Sequence, residues 1–276
     1  MTAGNEAAAD AALPRFDDDY ALDAATVAAF RDDGFACVRS LASATEVAAY
    51  RPLLCEAALT WRYDKRPLEQ RGTYGKAFIQ SVNLWRRHAR IAGFSLARRF
   101  AHVAAQLLEV PAVRIYHDQA LFKEPGGGHT PWHQDQTYWP FDSDRTISMW
   151  MPLVDIRPEV GSMYFVPGSY RQGDLNVPGI SDETQTYFDA LIQARGWQPR
   201  TFGALRAGDA TFHAGWTLHG AKENPTAQMR EVMTIIYFAD GLHVAQPSKN
   251  QEGDLRMWLP GCKPGELAAS VINPRL

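Results

Sequence analysis

Beyond Pro111 the chain is divided into short apolar segments separated by turn-forming residues. Clusters rich in Gly, Pro, Asn and Asp lie between them, such as EPGGGHTP and AKENPT. Several short segments at this spacing, with few helical stretches between them, are typical of a β-sandwich or β-barrel. We therefore predict a β-rich core built from VRIYHDQALFKE, TISMWMPLVDI, GSMYFVPGSY, GDATFHAGWTLH and EVMTIIYFAD.

The N-terminal part has the apolar spacing of helices instead. Residues 25–31 are predicted to form one helix that ends before the glycine of DDGF, and FACVRSL (35–41) is predicted to be a strand. Ser43 and Glu46 have the pattern of an N-cap with an acidic first turn, which begins a second helix toward Trp61. Further helices are expected at residues 91–109 and 181–197. A helical layer should therefore support the β core.

The chain contains no internal repeat and no low-complexity linker. Residues 1–20, rich in Ala and Asp, are predicted to be disordered, and residues 21–276 to form a single domain. The segment 241–276, with its prolines and glycines, could fold over a pocket or contribute to a dimer contact. The sequence leaves both alternatives and a homodimer open.

Charge and cysteine usage restrict the class of partner and the compartment. The net charge of −3 gives no general attraction to nucleic acid or to an anionic membrane. The three cysteines are widely spaced and form no CxxC motif, which favours a reducing cytoplasm over a disulfide framework. We find neither a signal-peptide pattern nor an apolar run of about 18 residues. We therefore expect a soluble, cytoplasmic protein.

The segment PWHQDQTYWP contains His133 and Asp135 one residue apart. In an extended chain, side chains at i and i+2 leave the same face, so these two could bind one cation. A distant third ligand, His219 in GWTLHGAKENP, would complete two histidines and one carboxylate, the ligand set of mononuclear non-haem Fe(II) oxygenases. The HxD pattern alone is a weak signal. The aromatic residues around it strengthen the prediction, because they favour a water-poor cleft.

Two assignments near the third ligand have alternatives: which histidine binds the metal, and what Arg230 does. His213 competes with His219, and the two would lie about 20 Å apart along an extended chain but closer if the intervening AGWT segment bends. We prefer His219 because a turn and Arg230 follow it. The planar guanidinium of Arg230 is suited to bind a dicarboxylate. The alternative for Arg230 is a surface charge at a strand edge.

Taken together, WHQD, the segment WMPLVDI…GSMYFVPGSY and GDATFHAGWTLHGA…NPT…R resemble the phytanoyl-CoA dioxygenase family of Fe(II)/2-oxoglutarate oxygenases, from about Asp33 to Asp240. The resemblance implies a double-stranded β-helix, or jelly roll, with flanking N-terminal helices. It also implies that His133, Asp135 and His219 hold the catalytic iron. Further positions implied to contact 2-oxoglutarate are Arg230, Trp150 and, with looser matches, Gln119 and Lys76. The alternative for Trp150 and Gln119 is a role in the core or in a strand, and for Lys76 a surface position.

The resemblance further implies a dioxygenase that uses O2 to hydroxylate a small-molecule substrate and releases succinate and CO2. Because related halogenases lack the metal carboxylate, the presence of Asp135 favours hydroxylation. Trp139, Phe141 and Trp216 either form a wall of the substrate site or pack in the core. Two alternatives remain: a metal-binding jelly-roll protein without oxygenase activity, which would not need Arg230, and a zinc hydrolase with the same ligands.

Overall fold

The computed structural model describes residues 12–177 and 179–276. The helices are α1 (Ala24–Asp33), α2 (Ala44–Thr60), α3 (Thr73–Ala77), α4 (Leu84–Arg87), α5 (Ala89–Ser95), α6 (Arg98–Leu108), α7 (Asp182–Ala194) and α8 (Glu252–Trp258). The strands are β1 (Phe35–Val38), β2 (Ile79–Val82), β3 (Val113–Phe122), β4 (Thr130–His133), β5 (Thr146–Pro152), β6 (Met163–Phe165), β7 (Ala210–Ala214), β8 (His219–Ala221) and β9 (Val232–Ala239). Among these helices, none is both long and apolar enough to cross a membrane.

The N-terminal helices begin where the capping residues predict. The side chain of Asp23 accepts a hydrogen bond from the backbone of Thr26 at the start of α1, and Gly34 ends that helix with a φ of 84°. Ser43 and Glu46 form both hydrogen bonds of a capping box at the start of α2. These bonds satisfy backbone groups that a helix end leaves free, so the two helices begin at defined positions.

The larger sheet has six antiparallel strands in the order β1-β7-β5-β9-β3-β2. Its central strands β5 and β9 are buried along their whole length. Ile147, Met149 and Ile235 belong to the same buried cluster as Phe100 and Val103 of α6. The helical layer therefore covers one face of this sheet. Because every residue of β5 and β9 is buried, the other face of these strands is covered as well, and their sequences are apolar runs instead of alternating ones.

A second, smaller sheet has three antiparallel strands in the order β4-β8-β6. The chain passes from the larger to the smaller sheet between β7 and β8, through residues 215–218. The prediction of a mainly β fold, a jelly-roll core with flanking helices, is confirmed by this arrangement. The side chains of the candidate metal centre project into the space between the two sheets.

The crossing between the sheets depends on the absence of a side chain at Gly215. A Cβ added there would collide with the side-chain oxygens of Gln136 and Thr146 and would lie 3.0 Å from the ring of Trp139. We expect Gly215→Ala to lower the free energy of unfolding by about 2 kcal/mol, as for other overpacked cores. Chemical denaturation measures this change.

Gly253→Ala is the matched control, because the added Cβ at this helical position meets no atom within 4 Å. Its free energy of unfolding should stay the same or rise by up to about 1 kcal/mol. Equal stability of the two variants would show that the crossing tolerates a side chain at residue 215.

The N-terminal boundary differs from the prediction. Residues 1–11 of the predicted disordered segment 1–20 lie outside the described residues. Phe16 is buried, with its ring centroid 4.8 Å from that of Phe100 and 5.5 Å from that of Tyr50. Asp18 forms an ion pair with Arg99 at 2.6 Å. The packed chain therefore begins before residue 20, because one aromatic side chain anchors it to the helical layer; a single domain over 21–276 stays a prediction.

The C-terminal segment returns along β3. Asn273 donates hydrogen bonds to the backbone carbonyls of Ile115 and Tyr116, and the backbone of Leu276 bonds to Val113. Helix α8, within this segment, contributes residues to the wall of the cavity between the sheets. The segment thus folds over the pocket, one of the two alternatives that the sequence leaves open.

Candidate metal centre

His133, Asp135 and His219 meet between the two sheets. His133 ends β4 and His219 begins β8, and the two residues lie directly opposite each other in the antiparallel pair. Their ring centroids are 4.2 Å apart. Asp135 begins the short 3-10 turn that follows β4. One potential ligand atom from each of the three residues lies within 4.8 Å of the others, so the set could hold one metal ion.

Backbone hydrogen bonds orient both imidazoles. Nδ1 of His133 lies 2.7 Å from the carbonyl oxygen of Pro131, and Nδ1 of His219 lies 2.9 Å from that of Thr217. Because a carbonyl only accepts, each Nδ1 carries the hydrogen and each Nε2 keeps its lone pair. The Nε2 atoms lie 3.6 and 3.8 Å from Oδ1 of Asp135. Ligands about 2.1 Å from an ion are roughly 3 Å apart, so a small inward movement suffices.

The surroundings of the three residues favour the protonation state that binds a metal. Burial lowers the pKa of His133 and of His219, so both rings stay neutral. Burial alone would raise the pKa of Asp135, but the neighbouring imidazoles, first among them His219, outweigh it and hold the pKa well below its usual range. Neutral imidazoles beside a carboxylate are the form that a divalent cation requires.

His213 lies beside this centre, because the chain between it and His219 bends instead of continuing extended for about 20 Å. Residues 215–218 turn from one sheet to the other, so the ring centroids of His213 and His219 are only 4.3 Å apart. Nε2 of His213 lies 3.2 Å from Oδ2 of Asp135, and Ser148, opposite His213 in the sheet, donates to the same oxygen at 2.9 Å. These two side chains occupy Oδ2 and leave Oδ1 directed toward the histidine ligands.

We expect His213→Ala to weaken divalent metal binding by roughly 10- to 100-fold, because the carboxylate of Asp135 loses one of its two orienting contacts. His213→Gln places an amide near the position of Nε2 and should restore much of the affinity. Titration calorimetry with Co(II) measures both, in addition to any activity. Unchanged affinity in the alanine variant would mean that Ser148 alone orients the carboxylate.

Arg230 is buried at another side of the same cavity and has no acidic partner among the described residues. Its guanidinium lies over the ring of Trp150 at 5.3 Å and donates to the carbonyl of Gly161, while its Nε has no hydrogen-bond partner. Burial lowers its pKa to about 9, so it remains charged at neutral pH. The alternative of a surface charge is therefore wrong. A buried guanidinium without a carboxylate partner, at the wall of a cavity, is suited to bind an anion.

A second basic side chain, Lys123, lies next to Arg230 through a backbone bridge between the two residues. Its Nζ donates to the carbonyl of Gly128 and lies 3.5 Å from Oγ1 of Thr130. Burial, with the charge of Arg230, lowers its pKa to about 6. A largely neutral Lys123 that does not line the cavity therefore stabilises the glycine-rich turn at residues 126–128.

The cavity has a volume of about 580 Å³ and contains the three potential ligands and Arg230. Three other residues named from the sequence also line it: Trp150, Gln119 and Trp139. The side chain of Gln119 is held by a 2.9 Å hydrogen bond from Gln80. These positions agree with contacts to a bound cosubstrate or substrate.

Three residues named from the sequence do not line the cavity. Lys76 meets the glycine-rich turn through its backbone carbonyl, which accepts from Gly128. Phe141 packs in a buried cluster against Phe238, with ring centroids 4.6 Å apart. Trp216 lies on the sheet crossing, where its carbonyl accepts from the side chain of Gln134. For Phe141 and Trp216, proximity in sequence to the ligands did not produce proximity to the cavity, and Lys76 had been named from a loose match to the family.

Comparisons with known proteins agree with this site. The family model described as Phytanoyl-CoA dioxygenase (PhyH) matches residues 30–232. The methylphosphonate hydroxylase of Gimesia maris is 27% identical over 169 residues, which is 61% of this chain and 58% of that protein. The chain thus spans little more than half the length of this curated relative.

Solved structures also match over most of the chain. The 2-oxoglutarate-dependent carbocyclase SnoK from nogalamycin biosynthesis is 22% identical, with a TM-score of 0.76, and the match covers 96% of this chain and 100% of that one. The epimerase SnoN, solved in complex with Fe3+, 2-oxoglutarate and nogalamycin RO, is 25% identical, with a TM-score of 0.74 and coverage of 91% and 97%. The same jelly-roll fold thus extends over nearly the whole chain.

Proposed function

Because the chain belongs to the phytanoyl-CoA dioxygenase family, we propose that it is an Fe(II)- and 2-oxoglutarate-dependent oxygenase that hydroxylates a small molecule. The observation that carries this proposal is the buried, unpaired guanidinium of Arg230 in the same cavity as His133, Asp135 and His219. A 2-oxo dicarboxylate needs a metal for its oxo acid end and a cationic side chain for its distal carboxylate, and this cavity contains both a metal site and a guanidinium without a carboxylate partner.

We assign each side chain of the site a role from the donor or acceptor atoms that it directs into the cavity. Nε2 of His133, Oδ1 of Asp135 and Nε2 of His219 would hold Fe(II), and the guanidinium of Arg230 would bind the distal carboxylate of 2-oxoglutarate. When bound, iron and 2-oxoglutarate supply the activation of O2, coupled to decarboxylation of the oxo acid to succinate and CO2. The ring of Trp150 packs against the guanidinium of Arg230. Trp139 narrows the cavity and limits access of water.

The two alternatives do not account for Arg230. A zinc hydrolase needs the metal and its bound water, and a metal-binding jelly roll without activity needs only the three ligands. Neither requires a buried guanidinium without a counterion, since such a charge destabilises the protein unless a ligand pairs with it. The oxygenase is therefore the function that the cavity supports best.

The reaction type and location belong to the same proposal. Asp135 occupies the carboxylate position of the ligand set, which favours hydroxylation over halogenation. The cysteines Cys37, Cys55 and Cys262 are free thiols, which is compatible with a reducing cytoplasm. A homodimer stays a prediction from the sequence.

The test is consumption of 2-oxoglutarate by purified protein supplied with Fe(II), ascorbate and O2. We expect slow formation of succinate without substrate, dependent on Fe(II) and absent when Zn(II) replaces it. Activation by zinc of a hydrolytic reaction, with no binding of 2-oxoglutarate in the presence of Fe(II), would contradict the proposal and favour the hydrolase.

A further inference from the structure

The part of the cavity away from Arg230, here called the outer chamber, is lined mainly by aromatic side chains: Tyr63, Tyr74, Phe78, Tyr138, Trp139 and Trp258. His117, Gln80 and a single outer carboxylate, Asp254, lie among them. Asp254 comes from α8, in a part of the chain where no sequence motif indicated a site. Aromatic faces with one carboxylate form a surface of negative potential.

Asp254 has no cationic partner among the described residues. The groups near its carboxylate are the indole of Trp258 and the hydroxyl of Tyr116, which are neutral. Arg230 is the one lysine or arginine among the described residues that line the cavity. It pairs with Lys123, whereas His117 of the outer chamber pairs with Ile236 farther along β9, so Arg230 lies toward the other end of the cavity. Arg66, in the adjoining groove, is already paired with Asp64 at 2.6 Å.

The histidine of the outer chamber does not supply the missing charge. His117 is buried with its ring against that of Trp258, at a centroid distance of 4.7 Å. Burial lowers the pKa of His117 to about 4, so its ring is neutral at neutral pH. A positive charge beside Asp254 would therefore have to come from a ligand.

We propose that the outer chamber binds a substrate with a positively charged nitrogen, a protonated amine or a quaternary ammonium, between its aromatic faces and the carboxylate of Asp254. This inference rests on the proposed function and adds the substrate class. Aromatic faces attract a desolvated cation, and a carboxylate in the same wall adds a direct charge interaction.

The energetics of Asp254 agree with this assignment. Burial raises its pKa to about 7, because the ionised carboxyl lacks a compensating charge. A bound ammonium group would supply that charge and keep Asp254 ionised. The two parts of the cavity then match ligands of opposite charge, with the anionic cosubstrate at Arg230 and the cationic substrate at Asp254.

The same arrangement disfavours anionic substrates. The relative from Gimesia maris is named for methylphosphonate, an anion. The outer chamber offers such an anion no lysine or arginine among its described residues, and Asp254 would repel it. The phosphates of a coenzyme A thioester are also anionic, so they would likewise lack a cationic partner there and be repelled by Asp254.

The experiment compares three probes of similar shape and different charge: phenethylammonium, 2-phenylethanol and 3-phenylpropanoate. Calorimetry under anaerobic conditions measures their affinity for the protein loaded with Fe(II) and 2-oxoglutarate. We expect the ammonium probe to bind about ten-fold more tightly than the alcohol, and the carboxylate most weakly. Asp254→Asn should remove the preference for the cation.

Glu252→Gln is the matched control, since it makes the same charge change on the same helix at an exposed residue paired with Arg256. It should keep the wild-type order. Equal affinities for the three probes, no binding of the ammonium probe at millimolar concentration, or a cation preference that survives in Asp254→Asn would each overturn the inference. If the asparagine variant fails to fold, the order of the probes in the wild type decides the question.

Failure of this inference is distinguishable from failure of the proposed function. Binding of 2-oxoglutarate is measured in the same samples before any probe is added. Retained binding of the oxo acid, with the wrong order of probes, would reject the substrate class alone. Lost binding of the oxo acid would reject the oxygenase.

Discussion

Asp135→Ala is expected to abolish both tight Fe(II) binding and 2-oxoglutarate consumption. The substitution removes the one anionic ligand and leaves two neutral imidazoles. Loss of a residue that merely orients a ligand weakens a metal site by 10- to 100-fold, so loss of the ligand itself should cost at least about a hundred-fold. Metal content after anaerobic loading and calorimetric titration with Fe(II) measure the change, and succinate formation follows it.

Asp142→Ala is the control for this variant, since it removes a half-exposed carboxylate that lies beside His243 on the surface. It should bind Fe(II) and consume 2-oxoglutarate as the wild type does. If Asp135→Ala retained one equivalent of tightly bound iron, the assigned set of ligands would be wrong, and His213 would become the first candidate for a replacement ligand.

Arg230→Met is expected to have two effects of opposite sign. The apparent dissociation constant for 2-oxoglutarate should rise by about a hundred-fold or more, because a buried, charge-assisted pair is lost. The stability of the protein without ligand should stay the same or increase, because the substitution removes an uncompensated buried charge. Thermal unfolding with and without 2-oxoglutarate measures both effects in one experiment.

Arg157→Met serves as the control, because Arg157 is exposed. It should show the wild-type increase in melting temperature on addition of 2-oxoglutarate. A full increase in Arg230→Met would remove this residue from cosubstrate binding. A large loss of stability in the ligand-free variant would indicate that Arg230 has a structural role instead.

Local patterns in the sequence were sufficient for the fold class and for two of the three potential ligands, His133 and Asp135. Apolar periodicity and turn residues are short-range signals, and they placed the β half of the chain correctly. His133 and Asp135 are neighbours in an extended segment, so their convergence follows from backbone geometry. The pairing of His133 with His219 also required the register of two strands, which the family resemblance supplied.

The remaining features depend on contacts between distant segments. The position of His213 beside Asp135 follows from a change of direction at Gly215, which no apolar pattern marks. Asp254 reaches the cavity because the C-terminal segment folds back over the sheets. Phe141 and Trp216 lie near the ligands in sequence, yet their side chains pack elsewhere. In a turn, the position of a residue in the sequence does not determine where its side chain points.

Residue type also does not reveal burial. The sequence favours a ligand-binding role for Arg230 over a surface charge at a strand edge only because of the metal motif near it, and no motif marks Lys123. Both are buried, and they differ in the way each is satisfied: Lys123 by backbone and hydroxyl oxygens, and Arg230 only in part. This difference indicates a structural role for Lys123 and a ligand-binding role for Arg230.

The most direct test of the central claim is an anaerobic titration of 2-oxoglutarate into the protein with and without one equivalent of Fe(II). We predict a single site that binds the oxo acid tightly only when iron is present, and that weakens sharply in both Asp135→Ala and Arg230→Met. Binding that is independent of iron and unchanged in both variants would contradict the claim that the metal centre and the guanidinium together form the cosubstrate site.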